Sequence, residues 1–167
     1  MQSNHFDQFG RAVMVDVSGK QPTLRTAVAH ARLSMKEETM RAVLEGTARK
    51  GDVLAVARLA GINASKKTPE LIPLAHPLAL HHVALEFAPE AEVGILHIQA
   101  TVKAYERTGV EMEAMVAAST AALAVYDMCK GQDRGMVIHQ VELVYKAGGR
   151  SGIFEREGAL ESSAFDS

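Results

Sequence analysis

A carboxylate and an ammonium three positions apart, Asp127 and Lys130, are the first residues here whose types and spacing could do chemistry. At i, i+3 they share a helix face, so the two groups can meet. One reading is an ion pair at a helix C-terminus, where the lysine also suits the dipole. The other is an acid/base pair in which each partner tunes the other's pKa for proton transfer. Tyr126, Met128 and Cys129 predict a more enclosed setting than a solvated helix end, but spacing alone leaves both readings open. His76 stands between Ala75 and Pro77 in a segment braced by Pro69, Pro73 and Pro77. A loop stiffened in this way suits substrate recognition, although it would equally suit a histidine capping the core. His81 and His82 lie nearby, yet no His/Cys/carboxylate spacing resembles a metal set, and no metal is expected.

Glu111 and Glu113 point about 200° apart on a helix and cannot share one task. Glu111 stands three residues after Thr108, the spacing of a capping box. Glu113 has no such explanation beside an otherwise apolar helix, and its carboxylate could accept the paired N–H groups of a base edge. Arg25, Lys50, Lys66, Lys67, Arg107, Lys146 and Arg150 are scattered cations, most of them expected to be solvated surface charge. Lys50 precedes Gly51 and a helix start, and Lys146 precedes a Gly-Gly turn. Backbone amides at such places favour phosphate. With no P-loop and no dinucleotide glycine pattern, ATP hydrolysis and NAD chemistry are not expected.

The elements that must position these residues follow from periodicity. Ala27, Ala29, Ala31, Leu33 and Met35 alternate along a first strand. Ser34 with Glu37 predicts a capping box for a helix ending near Gly46; Asp52 predicts the cap of a second helix, stopped at Gly61. Val83, Leu85 and Phe87 alternate along a second strand and Leu96 to Val102 along a third, joined through Pro89–Gly94. A long Ala- and Met-rich helix runs from about Thr108 to Lys130, with an apolar side so broad that more than one face must be covered. A last strand places Val137, His139, Val141, Leu143 and Tyr145 on one side. The order is that of an α+β βαββαβ fold: a four-stranded antiparallel sheet with helices on one face. Its other face is expected to be covered by a partner subunit. A flexible arm (1–13), one domain (14–155) and a disordered acidic tail (156–167) make up the chain.

Composition sets the outer limits. Of 167 residues, 47% are hydrophobic and 23% charged, an ordinary globular balance. The net charge of -2 excludes the broad basic field of a nucleic-acid binder, so anion binding must come from a few gathered cations. A single cysteine, the lack of an apolar leader and short apolar stretches point to a cytoplasmic protein without membrane spans.

Eight ordered stretches resemble the cyclic pyranopterin monophosphate synthase family of molybdenum cofactor biosynthesis. They are Met14–Ser18, Lys50–Asp52, Ala60–Ile62, Lys66–Thr68, Leu71–Pro77, Thr108–Ala114, Tyr126–Lys130 and Gly148–Gly152. The resemblance implies a lyase converting a 3',8-cyclised dihydroguanosine triphosphate to cyclic pyranopterin monophosphate, with release of diphosphate. It also implies a ferredoxin-like fold and a homohexamer, a trimer of dimers, with its site at a subunit interface. By the same resemblance Asp127 and Lys130 are catalytic, and Leu74, Ala75, His76, Met112, Glu113, Lys50, Lys66 and Lys146 bind substrate. No resident cofactor is implied, although magnesium could accompany the triphosphate. Ala75 replaces the family's usual cysteine, which argues against essential thiol chemistry in that loop. A non-catalytic nucleotide-binding regulatory module is the alternative; it would need the lysines but not the Asp127–Lys130 pair.

Overall fold

The computed structural model describes residues 5–160 and 162–165. Strand β1 (Thr23–Ser34) leads into helices α1 (Glu37–Leu44), α2 (Val53–Ser65) and the single turn α3 (Thr68–Leu71). Strands β2 (His82–Glu90) and β3 (Ile95–Glu106) form a hairpin, followed by α4 (Glu111–Cys129) and β4 (Val137–Ala147). The sheet order β2-β3-β1-β4 is antiparallel throughout, as the sequence predicts. A fifth strand, β5 (Phe154–Glu155), extends the expected four by pairing with β4 after the Gly148–Gly152 turn.

Small side chains set the distance between helix and sheet. Ala27, Ala29 and Ala31 of β1 and Ala114, Ala117, Ala118, Ala121 and Ala122 of α4 are all essentially buried in one core. Alanine gives little β-propensity, but opposing methyl groups let α4 lie close on the sheet. The breadth of α4's apolar side is used on two fronts, because α2 covers the flank that the sheet does not. Gly61 does not stop α2 but lies inside it. A Cβ there would sit 2.9 Å from the Ala117 carbonyl and 3.1 Å from Leu85, so glycine serves the α2/α4 crossing.

Asp52 caps α2 as expected, its Oδ1 accepting from the Ala55 amide at 2.9 Å. Neither capping box forms. Ser34 ends β1 and pairs with the His139 ring, while Lys36 occupies the N-cap position of α1. Val110 occupies that position in α4, making Glu111 the first helical residue rather than the third. In β4 the expected single apolar side is broken. Register shifts opposite Val28/Ala29 and Arg32/Leu33 bring Ile138, Val141 and Leu143 opposite core residues, while Val137 and Tyr145 pair on the far face.

That far face is polar rather than apolar. Glu86, Gln99, His30 and Glu142 form one rung across four strands, with His30 bonded to Gln99 and Gln99 to Glu86, each at 2.8 Å. The segment expected to be a disordered tail contributes here: Ser162–Phe165 form a 3-10 turn, and the buried Phe165 ring lies 5.2 Å from that of His30. No described helix is long and apolar enough to cross a membrane.

Candidate active site

The topology separates the candidate residues into two groups at opposite ends of α4. Glu106 at the end of β3 pairs with Thr23, and α4 begins at that edge of the sheet; Val137, which follows α4, pairs with Ser34 at the other. From Glu113 to Asp127 the helix rises about 21 Å.

At the C-terminal end, Asp127 is held by two ammonium groups. Lys130 Nζ lies 2.7 Å from its Oδ1, and Lys50 Nζ donates to its Oδ2 at 3.1 Å and its backbone carbonyl at 2.8 Å. Lys50 arrives from the loop between α1 and α2, 77 positions away, a contact that residue spacing could not announce. The Lys130 hydrogen bond first, and that of Lys50 second, keeps the Asp127 carboxyl below its ordinary range; Asp127 in turn raises Lys130. All three side chains are about half exposed, so this is an open ion triad rather than the enclosed pair that the neighbours predict. Cys129 beneath them is buried, its thiol pKa raised mainly by desolvation.

At the N-terminal end, a cleft of about 380 Å³ runs between the 74–78 loop, the start of α4 and the chain before β1. Leu74, Ala75, His76, Met112 and Glu113 all line it. The Nε2–H of His76 donates to the Val15 carbonyl at 2.8 Å, which aims the imidazole and leaves Nδ1 as the acceptor of the neutral ring. Met112 is exposed on the rim, whereas Glu113 is 3% exposed. Burial, helped by the charge of Glu111, pushes the Glu113 carboxyl up to about 7. Val15, Val17 and Lys20, from the chain before β1, form another wall that no residue spacing announced.

Lys66 follows α2, which starts beside Asp127 through Lys50 and packs its Gly61 on Ala117, so α2 runs antiparallel to α4 and carries Lys66 toward this same end. Lys146 pairs with the buried Ala27, so the pleat directs it to the helix side, and its Nζ donates to the Ser151 hydroxyl. Arg25 underlies the turn beyond it. Its Nε and Nη2 donate to the Glu106 and Arg107 carbonyls at 3.0 and 3.2 Å. Gly149, at φ 76°, lies over the guanidinium, where a Cβ would collide with Nη1. The buried Arg25 thus ties the turn after Lys146 to the corner preceding α4.

Asp133 is a further residue that spacing did not single out. It is buried among backbone donors at the end of α4, and three polar partners converge on it. Among the described residues, no three His, Cys, Asp or Glu side chains gather so as to hold a metal ion.

These features define a ferredoxin-like α+β domain with cations and carboxylates at both ends of its central helix, a chemistry able to take an anionic, hydrogen-bonding small molecule. The chain belongs to the MoaC family, whose model matches residues 14–149. Similar proteins named cyclic pyranopterin monophosphate synthase occur in Geotalea uraniireducens, at 65% identity over 94% of this chain and 98% of the relative, and in Trichlorobacter lovleyi, at 55% over 95% and 99%. The relative of that name in Thermomicrobium roseum is 54% identical over 92% of each chain.

Proposed function

We propose that this chain is a cyclic pyranopterin monophosphate synthase, a lyase of molybdenum cofactor biosynthesis. It converts 3',8-cyclised dihydroguanosine triphosphate to cyclic pyranopterin monophosphate and releases diphosphate. The observation that carries the reading is the Asp127 carboxylate held between Lys50 and Lys130 on an open helix end, in a chain of this family. At neutral pH the triad rests as an ion pair, so Lys130 enters as proton donor and Asp127 holds it in place. Substrate phosphates compete with Asp127 for the two ammoniums. That competition frees the carboxylate to accept a proton during ring rearrangement and cyclic phosphate formation. Lys50 and Lys146 stabilise charge on the departing diphosphate, Lys66 adds to the field, and any magnesium arrives with the triphosphate as substrate. Glu113 accepts N–H groups of the guanine-derived edge, with Leu74, Ala75, His76 and Met112 shaping the cleft around it.

A gap of about 21 Å between the two groups is too wide for one ring system to touch both ends within one chain. Met112 and Leu123 are both exposed on α4, and a helix brings these positions within about 20° of one another, with Asp127 flanking the stripe. Antiparallel packing of two such helices about Ser119 and Thr120 would set Asp127 of one chain against Met112 and Glu113 of another. This geometry supports a site shared between two subunits; the full reading is a cytoplasmic homohexamer, a trimer of dimers, each chain built on the 14–155 domain.

Incubating the protein with the cyclised nucleotide and measuring diphosphate tests the activity; binding without release would instead favour a regulatory module. Mixing inactive Asp127→Asn chains with inactive Glu113→Ala chains tests the shared site. Recovered turnover supports it, and its absence places each site within one chain.

A further inference from the structure

The loop after α4 contains a buried carboxylate that the proposed chemistry does not use. Asp133 is 2% exposed. Its Oδ2 accepts from the Lys36 amide at 2.9 Å and the Thr39 hydroxyl at 3.3 Å, and its Oδ1 accepts from the Gly135 amide at 3.0 Å. No lysine or arginine among the described residues pairs with it, so neutral donors alone compensate its burial.

Two of those donors belong to the first turn of α1. Lys36 sits at its N-cap position, where no side chain of the helix itself closes the free amides. Asp133 supplies that cap from 97 positions away. The same residue is anchored to α4, since its own amide and that of Gln132 donate to the Cys129 carbonyl at 3.0 Å. The Tyr126 hydroxyl adds a second stitch to the Arg134 carbonyl at 3.3 Å.

The consequence lies at the two ends of α1. Asp133 fixes the beginning of α1 to the turn directly after Lys130, and from the end of α1 the chain runs to Lys50. Lys50 must then return to Asp127, with which it forms two hydrogen bonds. The short helix is thereby a strut whose base is set by Asp133 and whose far end delivers one arm of the ion triad.

We infer that Asp133 is a positioning residue for the Lys50–Asp127–Lys130 triad, holding α1 and the end of α4 at the separation that lets Lys50 reach Asp127. The inference rests on the assignment of that triad to catalysis. It requires an acceptor at both carboxyl oxygens. Asparagine would turn one of them into a donor facing a donor, with little change in volume.

Asp133→Asn is compared with wild type by steady-state diphosphate release, well below both unfolding midpoints. Displacement of about 1 Å at reacting groups lowers kcat by about 100-fold. The expected fall in kcat is therefore roughly 10- to 100-fold. KM should rise by no more than about 5-fold, because the Lys50 contact to the substrate phosphates shifts while the cleft at the other end of α4 is untouched. Ile98→Val, deep in β3 and remote from the triad, serves as a control for lost stability and is expected to keep wild-type kcat. Thr39→Val removes one of the three donors while preserving shape; it should lower kcat by about 3-fold with a smaller change in KM, and it decides the matter if Asp133→Asn does not fold. Amide hydrogen exchange should quicken at Lys36 and Gly135 in Asp133→Asn. A kcat for Asp133→Asn within about two-fold of wild type overturns the inference, as does an Ile98→Val variant that loses kcat to the same extent. If wild type releases diphosphate, Asp127→Asn does not and Asp133→Asn does, only the positioning role is lost. A wild type that releases none removes the proposed activity itself.

Discussion

Lys50 reaches across from the α1–α2 loop to make two hydrogen bonds to one residue of α4, Asp127, at its carboxylate and its backbone carbonyl. The backbone bond satisfies a carbonyl in the last turn of α4, where intrahelical partners run out. The carboxylate bond sets the charge of the triad. One ammonium therefore finishes the helix and tunes the acid it carries.

Removing the acid separates these roles. Asp127→Asn keeps the backbone carbonyl for Lys50 but leaves Lys130 without its countercharge. The kcat for diphosphate release should fall by about 100-fold or more. The unfolding midpoint should barely move, because exposed ion pairs add little to stability. Parallel loss of both quantities would show that the triad is structural.

Glu113 makes a prediction of opposite character. Burial raises its pKa from 4.5 to about 7, so the folded chain binds its proton more tightly than the unfolded chain does. Its contribution to stability is then full below pH 4.5, declines as pH rises through the interval to 7, and stays lost above it. The change amounts to about 3 kcal/mol at most. Glu113→Gln should abolish that decline, as measured by denaturant unfolding at a series of pH values. A slope unaltered by the substitution would show that another group titrates. On the role proposed for Glu113, the same titration would govern recognition, since only the ionised carboxylate accepts two N–H groups. Binding of the cyclised nucleotide should accordingly strengthen as pH rises through 7.

Local features of the fold could be read from the residues, whereas distant ones could not. Strand alternation announced β1 and the β2–β3 hairpin, and Asp52 announced the cap of α2, because in each case the determinant lies within a few residues of its effect. The bulges of β4 depend on the register that β1 imposes, so the pattern Val137 to Tyr145 carried no warning of them. Asp133 caps a helix nearly a hundred residues earlier, and Ser34 and Glu37 imitated the local cap that is missing. Gly61 looks like a stop until α4 is placed beside it. At the site, the types and positions of Asp127, Lys130, His76 and Glu113 were legible, but their separation onto two ends of one helix was not, because it is a property of the topology.

The Gly61 crossing can be tested directly. Gly61→Ala gains helix propensity of up to about 1 kcal/mol. It also drives a methyl to 2.9 Å from the Ala117 carbonyl, a backbone atom that can yield only if the helices part. Overpacking of this kind costs about 1–3 kcal/mol. Net destabilisation of about 1 kcal/mol is expected in urea unfolding, and stabilisation would show that α2 and α4 can separate freely.

Phe165 and His30 provide a test on the opposite face of the sheet. The ring of Phe165 helps to desolvate His30, and desolvation is the main cause of a His30 pKa below 6.5, outweighing the Gln99 hydrogen bond that raises it. With a lowered pKa, the unfolded chain takes up the proton first, so stability falls as pH drops from 6.5 through the folded value. This runs counter to the Glu113 effect over the same interval, and each contribution has to be measured with the other removed. Phe165→Ala in a Glu113→Gln background should lower stability by about 2 kcal/mol at neutral pH through lost apolar burial. It should also raise the His30 pKa toward 6.5 in an NMR titration and shrink the acid-side loss. An unchanged His30 titration in that variant would mean that the sheet rung formed by Glu86, Gln99 and Glu142, rather than the C-terminal turn, sets the environment of His30.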